Sequence, residues 1–132
     1  DLDDYVKQAA AEQGGRTITP DPEPEKGFYY RSDHFSLAKR GVPTLLFMAI
    51  SGAPDLVAGG RAAGETWLAD YMKCYHQACD EWRPDWDLSG AAQDVALAFE
   101  VGRKLSMSTA WPQWNKESEF RAIRQSAPRT KK

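Results

Sequence analysis

The chain has 132 residues, a formal net charge of -2 and 42% hydrophobic residues, which suits one soluble globular domain or a piece of a larger one. The near-neutral balance gives no electrostatic case for nucleic acid or a membrane surface. The longest apolar run, Val42 to Ile50, falls well short of the roughly 20 residues that span a bilayer.

The chain opens on Asp1-Leu-Asp-Asp-Tyr5, without Met or a signal peptide, and reads as a piece of a longer protein. Residues 2–13 form an expected helix. Asp3 and Asp4 favour its N-terminal end, Leu2, Tyr5, Val6 and Ala9 make its apolar face, and Gly14-Gly15 stops it. Arg16 to Thr19 is short and β-branched and reads as a strand, ended by the prolines of Pro20-Asp-Pro-Glu-Pro24. The acids of that loop, Asp21, Glu23 and Glu25, are spaced apart by prolines and suit a solvated loop rather than a cation site. Phe28-Tyr29-Tyr30 is an aromatic run expected against a core.

Ser32-Asp33 is an expected N-cap pair ahead of His34 to Arg40, with Gly41 as the stop. Val42 to Ala49 is continuously apolar and predicts a strand buried on both faces of a sheet. Residues 51–70, rich in Gly and Ala, read as a long irregular connection with a helical turn near Glu65 to Tyr71. The longest helix is expected from Leu88 to about Ser106, apolar enough to be largely buried. Trp111-Pro-Gln-Trp114 and Phe120 read as a tail packing its aromatics on the domain surface, and Arg129 to Lys132 as a solvated basic end.

Two segments carry chemistry. Tyr75-His76 contains one of only two histidines, is flanked by Cys74 and Cys79, and is followed by Asp80. Imidazole is the commonest neutral metal ligand, and a carboxylate such as Asp80 suits its second nitrogen if the segment turns helically. Taken alone, the segment favours a hydrogen-bonded structural histidine over a ligand. Cys74 and Cys79 either form one local disulfide or stay reduced, and a helical turn between them would make the bridge poor. Ser32-Asp33-His34 invites a triad, but adjacent residues at a helix start point in different directions, so capping is the simpler reading.

The order of these elements carries more than any one of them. Tyr30-Arg-Ser-Asp-His-Phe35, then Ala38-Lys-Arg-Gly-Val-Pro43, then an apolar run, then Tyr75-His76-x-x-x-Asp80 resembles the C-terminal part of peptidase family M-28, the di-zinc aminopeptidases and glutamate carboxypeptidases. The downstream Trp86-Asp-Leu-Ser-Gly90 and Trp111-Pro-Gln-Trp114 resemble a bacterial subgroup of that family.

The resemblance implies an α/β fold: the C-terminal part of a three-layer sandwich with a mixed central sheet, with residues 1–132 belonging to a single catalytic domain. It implies hydrolysis of N-terminal residues from peptides at two zinc ions that share a water, lower its pKa and polarise the scissile carbonyl. On this pattern His76 is the last zinc ligand, Tyr75 the oxyanion partner and Asp33 a support of the substrate wall. The other ligands and the general base have no counterpart in residues 1–30, so this chain alone is expected to be inactive and to hold zinc incompletely or not at all. Glutaminyl cyclase chemistry is disfavoured, because that branch has Trp where Tyr75 stands. The contrasting expectation is a stand-alone, non-catalytic interaction domain with the same fold. The resemblance further implies a peptide substrate and a periplasmic or secreted location, while the charge balance and the short apolar runs predict no nucleic-acid partner and no membrane span. Exposed apolar faces and a free sheet edge predict self-association.

Overall fold

The structure, a computed structural model, describes residues 2–14, 16–47 and 54–127, and the expectations for Gly15, for residues 48–53 and for the basic end at 129–132 lie outside them. The helices are α1 (Asp3–Glu12), α2 (Phe35–Ala38), α3 (Gly60–Cys74), α4 (Ser89–Ser106) and α5 (Arg121–Ser126), with two 3₁₀ turns at Pro24–Lys26 and Phe28–Arg31. The chain divides into two compact units, one of Asp1–Phe47 with Leu97–Lys132 and the other of Met48–Ala96.

No strand exists among the described residues, so the α/β sandwich is overturned; an isolated antiparallel bridge between Leu56 and Gly60 is the one β-type pairing there. Neither Arg16–Thr19 nor residues 42–47 form a β-bridge among the described residues. A strand is defined by a partner about 4.8 Å away that takes its backbone hydrogen bonds, and without one an apolar run stays an extended connection. Residues 42–47 are used residue by residue instead. Pro43 is buried, the Thr44 hydroxyl meets the Tyr29 hydroxyl at 2.9 Å, and Leu45 packs on a core, while Val42 and Phe47 are exposed.

In the first unit two clusters exclude water. Val6, Ala9 and Ala10 of α1 pack against Leu97 and Val101 of α4, with Tyr5, Ile18, Leu45 and Leu105 around them. The small alanines let the two helices approach closely, and burying a side chain such as Leu97 contributes about 2 kcal/mol. Lys104 pairs with Glu12 at 2.8 Å along the same two helices. The expected extensive burial of α4 is not observed, since Val95 is 69% and Phe99 66% exposed. A single partner helix covers one stripe of about 100°, and the apolar residues of α4 spread wider than that.

The second cluster joins Ala38 of α2 to Trp114 and Phe120, with Tyr29 and Phe35 alongside. The tail is thus core rather than surface decoration at these two positions. The Trp114 Nε1–H donates to the Gly41 carbonyl at 3.0 Å, the Arg121 guanidinium donates to the Trp114 carbonyl, and Arg124 donates to Pro112 O at 3.0 Å. Arg124 also lies 3.7 Å over the Trp111 ring, and burial pushes its guanidinium pKa down.

The second unit holds α3, where a loop with one helical turn is expected from the sequence. Ala62, Ala63, Glu65, Leu68 and Ala69 are good helix formers, and the weak periodicity concealed them. Gly64 interrupts the pattern for a packing reason: a Cβ there would lie 1.5 Å from the Pro54 carbonyl oxygen. Lys73 closes an ion pair with Asp70 at 2.7 Å on the exposed side.

Candidate functional site

Helix α3 and the residue that follows it carry an aromatic at every fourth position, Trp67, Tyr71 and Tyr75, with the rings in a row. Trp67 and Tyr71 stack with centroids 4.9 Å apart and planes 8° apart, and Tyr71 and Tyr75 follow at 5.5 Å and 50°. The Tyr71 phenol is pushed above its ordinary pKa by burial first, with the Asp80 carboxylate and Tyr75 adding to it. The i, i+4, i+8 spacing of these aromatics is the signal of the stripe in the sequence.

The helix ends at Cys74, where Tyr75 N–H still donates to Tyr71 O at 3.0 Å. Tyr75 then adopts φ -54°, ψ 122° and His76 a positive φ of 59°. With Gln77 N–H donating to Cys74 O at 2.8 Å, residues 74–77 make a type II β-turn. The second central position of that turn normally takes glycine or asparagine, and a histidine there costs about 1 kcal/mol. The turn brings the imidazole over the phenol: the rings of Tyr75 and His76 stack at 3.9 Å with planes 21° apart.

Cys74 and Cys79 form a disulfide with their Cα atoms 5.3 Å apart. The intervening residues form a turn rather than a helical turn, which removes the geometric objection to the bridge. In the chain-entropy picture a loop this short gains about 2 kcal/mol from the cross-link. Asp80 does not take the expected role of holding the imidazole, because the segment is not helical. Its backbone N–H donates to Gln77 O at 3.0 Å, and its carboxylate instead raises the Tyr71 phenol.

The other histidine sits differently. The Ser32 hydroxyl donates back to Phe28 O at 3.2 Å, and no side-chain hydrogen bond caps α2, so the capping expected of Ser32-Asp33 is not made. Asp33 is exposed, and its backbone carbonyl accepts from Ser36 N–H at 3.3 Å. The His34 ring lies edge-on to Tyr29 with centroids 4.5 Å apart, and its Nε2 is buried without a hydrogen-bond partner among the described residues. Burial lowers the His34 pKa, against a smaller raising effect of the Asp33 charge. No serine-to-histidine relay is present here.

Tyr75 and His76 are therefore brought together in the second unit, whereas Asp33 belongs to the first. The exposed His76 imidazole offers one metal donor. Among the described residues no group of three or more His, Cys, Asp or Glu side chains is placed to hold a metal ion. These residues do not by themselves fit a zinc centre, and no chemical step is assigned through one. No helix among the described residues is long and apolar enough to cross a membrane.

The family model for peptidase family M28 matches residues 1–100, a span that includes Asp33, the α3 aromatic stripe and the Tyr75–His76 turn. No curated protein and no solved structure matches the chain. The match covers well over half of the chain and agrees with the order of its Ser32-Asp33-His34 and Tyr75-His76 elements, so the protein belongs to peptidase family M28, a family of peptidases generally dependent on zinc.

Proposed function

We propose that this chain is part of an aminopeptidase that removes N-terminal residues from peptides by two-zinc hydrolysis, with His76 as one zinc donor and Tyr75 as the oxyanion partner. The observation that carries this reading is the stacked Tyr75–His76 pair, held in a turn whose conformation disfavours a histidine. Local strain of this kind is concentrated at functional sites. A phenol beside an imidazole donor is placed to donate a hydrogen bond to the negative oxygen that develops when water adds to a peptide carbonyl. Asp33 serves in this reading as a support of the substrate wall.

One imidazole does not hold a pair of ions and no group of three or more His, Cys, Asp or Glu is placed to do so among the described residues, so on this reading the remaining donors lie elsewhere and the chain alone is expected to be inactive. The Cys74–Cys79 bridge supports an exported, periplasmic or secreted location, because disulfides persist in oxidising compartments. Exposed Val95, Phe99 and Met107 support self-association of the chain, now through side chains rather than a sheet edge.

The test is a defined peptide incubated with the native gene product and zinc, followed by mass spectrometry. Loss of single residues from the N-terminus is expected. Loss from the C-terminus, or cyclisation of an N-terminal glutamine, overturns the aminopeptidase reading. Absence of any cleavage by a native product as short as this chain favours the non-catalytic interaction domain.

A further inference from the structure

The turn that presents Tyr75 and His76 has little packing to hold it. His76, Gln77, Ala78, Cys79 and Asp80 are all exposed. A hydrogen bond from Gln77 N–H to Cys74 O closes the turn, and water competes for an exposed bond of this kind. Yet His76 is kept at φ 59°, where a residue with a Cβ rarely stays unless its surroundings over-determine it. The covalent bridge supplies what packing does not. Cys74 is the first residue of the turn and Cys79 lies two residues beyond its last, Gln77, so the disulfide spans the turn and holds the Cα atoms of Cys74 and Cys79 5.3 Å apart.

We propose that the Cys74–Cys79 disulfide is the positioning element of the Tyr75–His76 pair: it holds the turn that keeps phenol and imidazole stacked, and opening it releases His76 from the left-handed region. The proposal rests on the reading of Tyr75 and His76 as the working pair, and it makes that pair sensitive to the redox state of its compartment. The opening reaction needs a dithiol. The dithiol gives up two electrons and two protons, the Sγ–Sγ bond breaks, Cys74 and Cys79 become thiols, and the dithiol closes to its own disulfide. Neither cysteine touches substrate in this scheme; both act through the turn between them.

The experiment compares three samples of the 132-residue chain by NMR: oxidised, reduced with excess dithiothreitol, and Cys74→Ala/Cys79→Ala. Two local signals report the turn, the ring-to-ring NOE between Tyr75 and His76 and the strong His76 amide to Gln77 amide NOE of a type II turn. A third set, the contacts of Val6 with Leu97 and Val101, reports the first core. In both bridge-free samples the two turn signals are expected to fall about fivefold, as the left-handed preference requires, while the core contacts persist. Undiminished turn signals in either bridge-free sample overturn the proposal. So does loss of the core contacts together with the turn signals, because the bridge would then support the whole fold rather than the pair. None of these readouts needs turnover, so their failure is distinct from a failure of the peptidase reading. If the native product proves to be a peptidase, its kcat is expected to fall with reduction while KM holds.

Discussion

The indole Nε1–H of Trp114 donates to the carbonyl oxygen of Gly41 at 3.0 Å, fastening the segment after α4 onto the end of α2. Gly41 adopts φ +79° and also lets α5 approach the same turn: a Cβ there would lie 2.7 Å from the Arg124 backbone nitrogen. Gly41→Ala combines a disfavoured backbone with a backbone clash. It is expected to destabilise the chain by more than about 2 kcal/mol, read as a lower midpoint in urea. An unchanged midpoint would show that α5 moves aside at no cost.

Leu97 and Phe99 lie two residues apart on α4, one 2% and the other 66% exposed. Leu97→Ala opens a cavity between α1 and α4 and is expected to cost about 3 kcal/mol. Phe99→Ser removes no buried contact, and its effect on unfolding is expected within about 0.5 kcal/mol. Equal effects in thermal or denaturant unfolding would contradict the observed facing of the helix.

That same exposure of Val95 and Phe99 drives the proposed self-association. Sedimentation velocity over a concentration series is expected to show a dimer for the natural chain and a monomer for Phe99→Lys. A strict monomer for the natural chain at high concentration removes the proposal.

Stability should depend on pH through His34. Burial lowers its pKa from the ordinary 6.5, so the unfolded chain binds this proton more readily than the folded one. Stability from this group is therefore complete above pH 6.5 and is lost progressively as pH falls from there towards the lower folded value. His34→Gln is expected to flatten that slope in denaturation curves measured between neutral pH and the onset of carboxylate protonation. A slope of the opposite sign would mean that Asp33, which raises the pKa, outweighs burial.

Tyr75→Phe removes only the phenol hydroxyl and keeps a ring to stack on His76. In the native gene product, kcat is expected to fall about a hundredfold with KM little changed, as for loss of one oxyanion donor. A matched loss through KM alone would place Tyr75 in ground-state binding instead.

Much of this protein is legible without coordinates. The residues of α1 and α4 show their helices, because a helix satisfies its hydrogen bonds within its own segment and its flanking residues mark the ends. Gly41 declares the stop after α2, and the order of Ser32-Asp33-His34 and Tyr75-His76 declares the family. What the tertiary structure alone decided has a common cause: it depends on partners distant in sequence or on a local turn that periodicity does not encode. Residues 42–47 carry a strand's composition but have no strand neighbour, so they are not a strand. Trp114 and Phe120 are buried because they pack with Ala38, and the Gly41 carbonyl satisfies the indole N–H. The pair named by the sequence, Tyr75 and His76, is stacked because α3 ends where it does and a type II turn, bridged by Cys74 and Cys79, swings the imidazole back over the phenol.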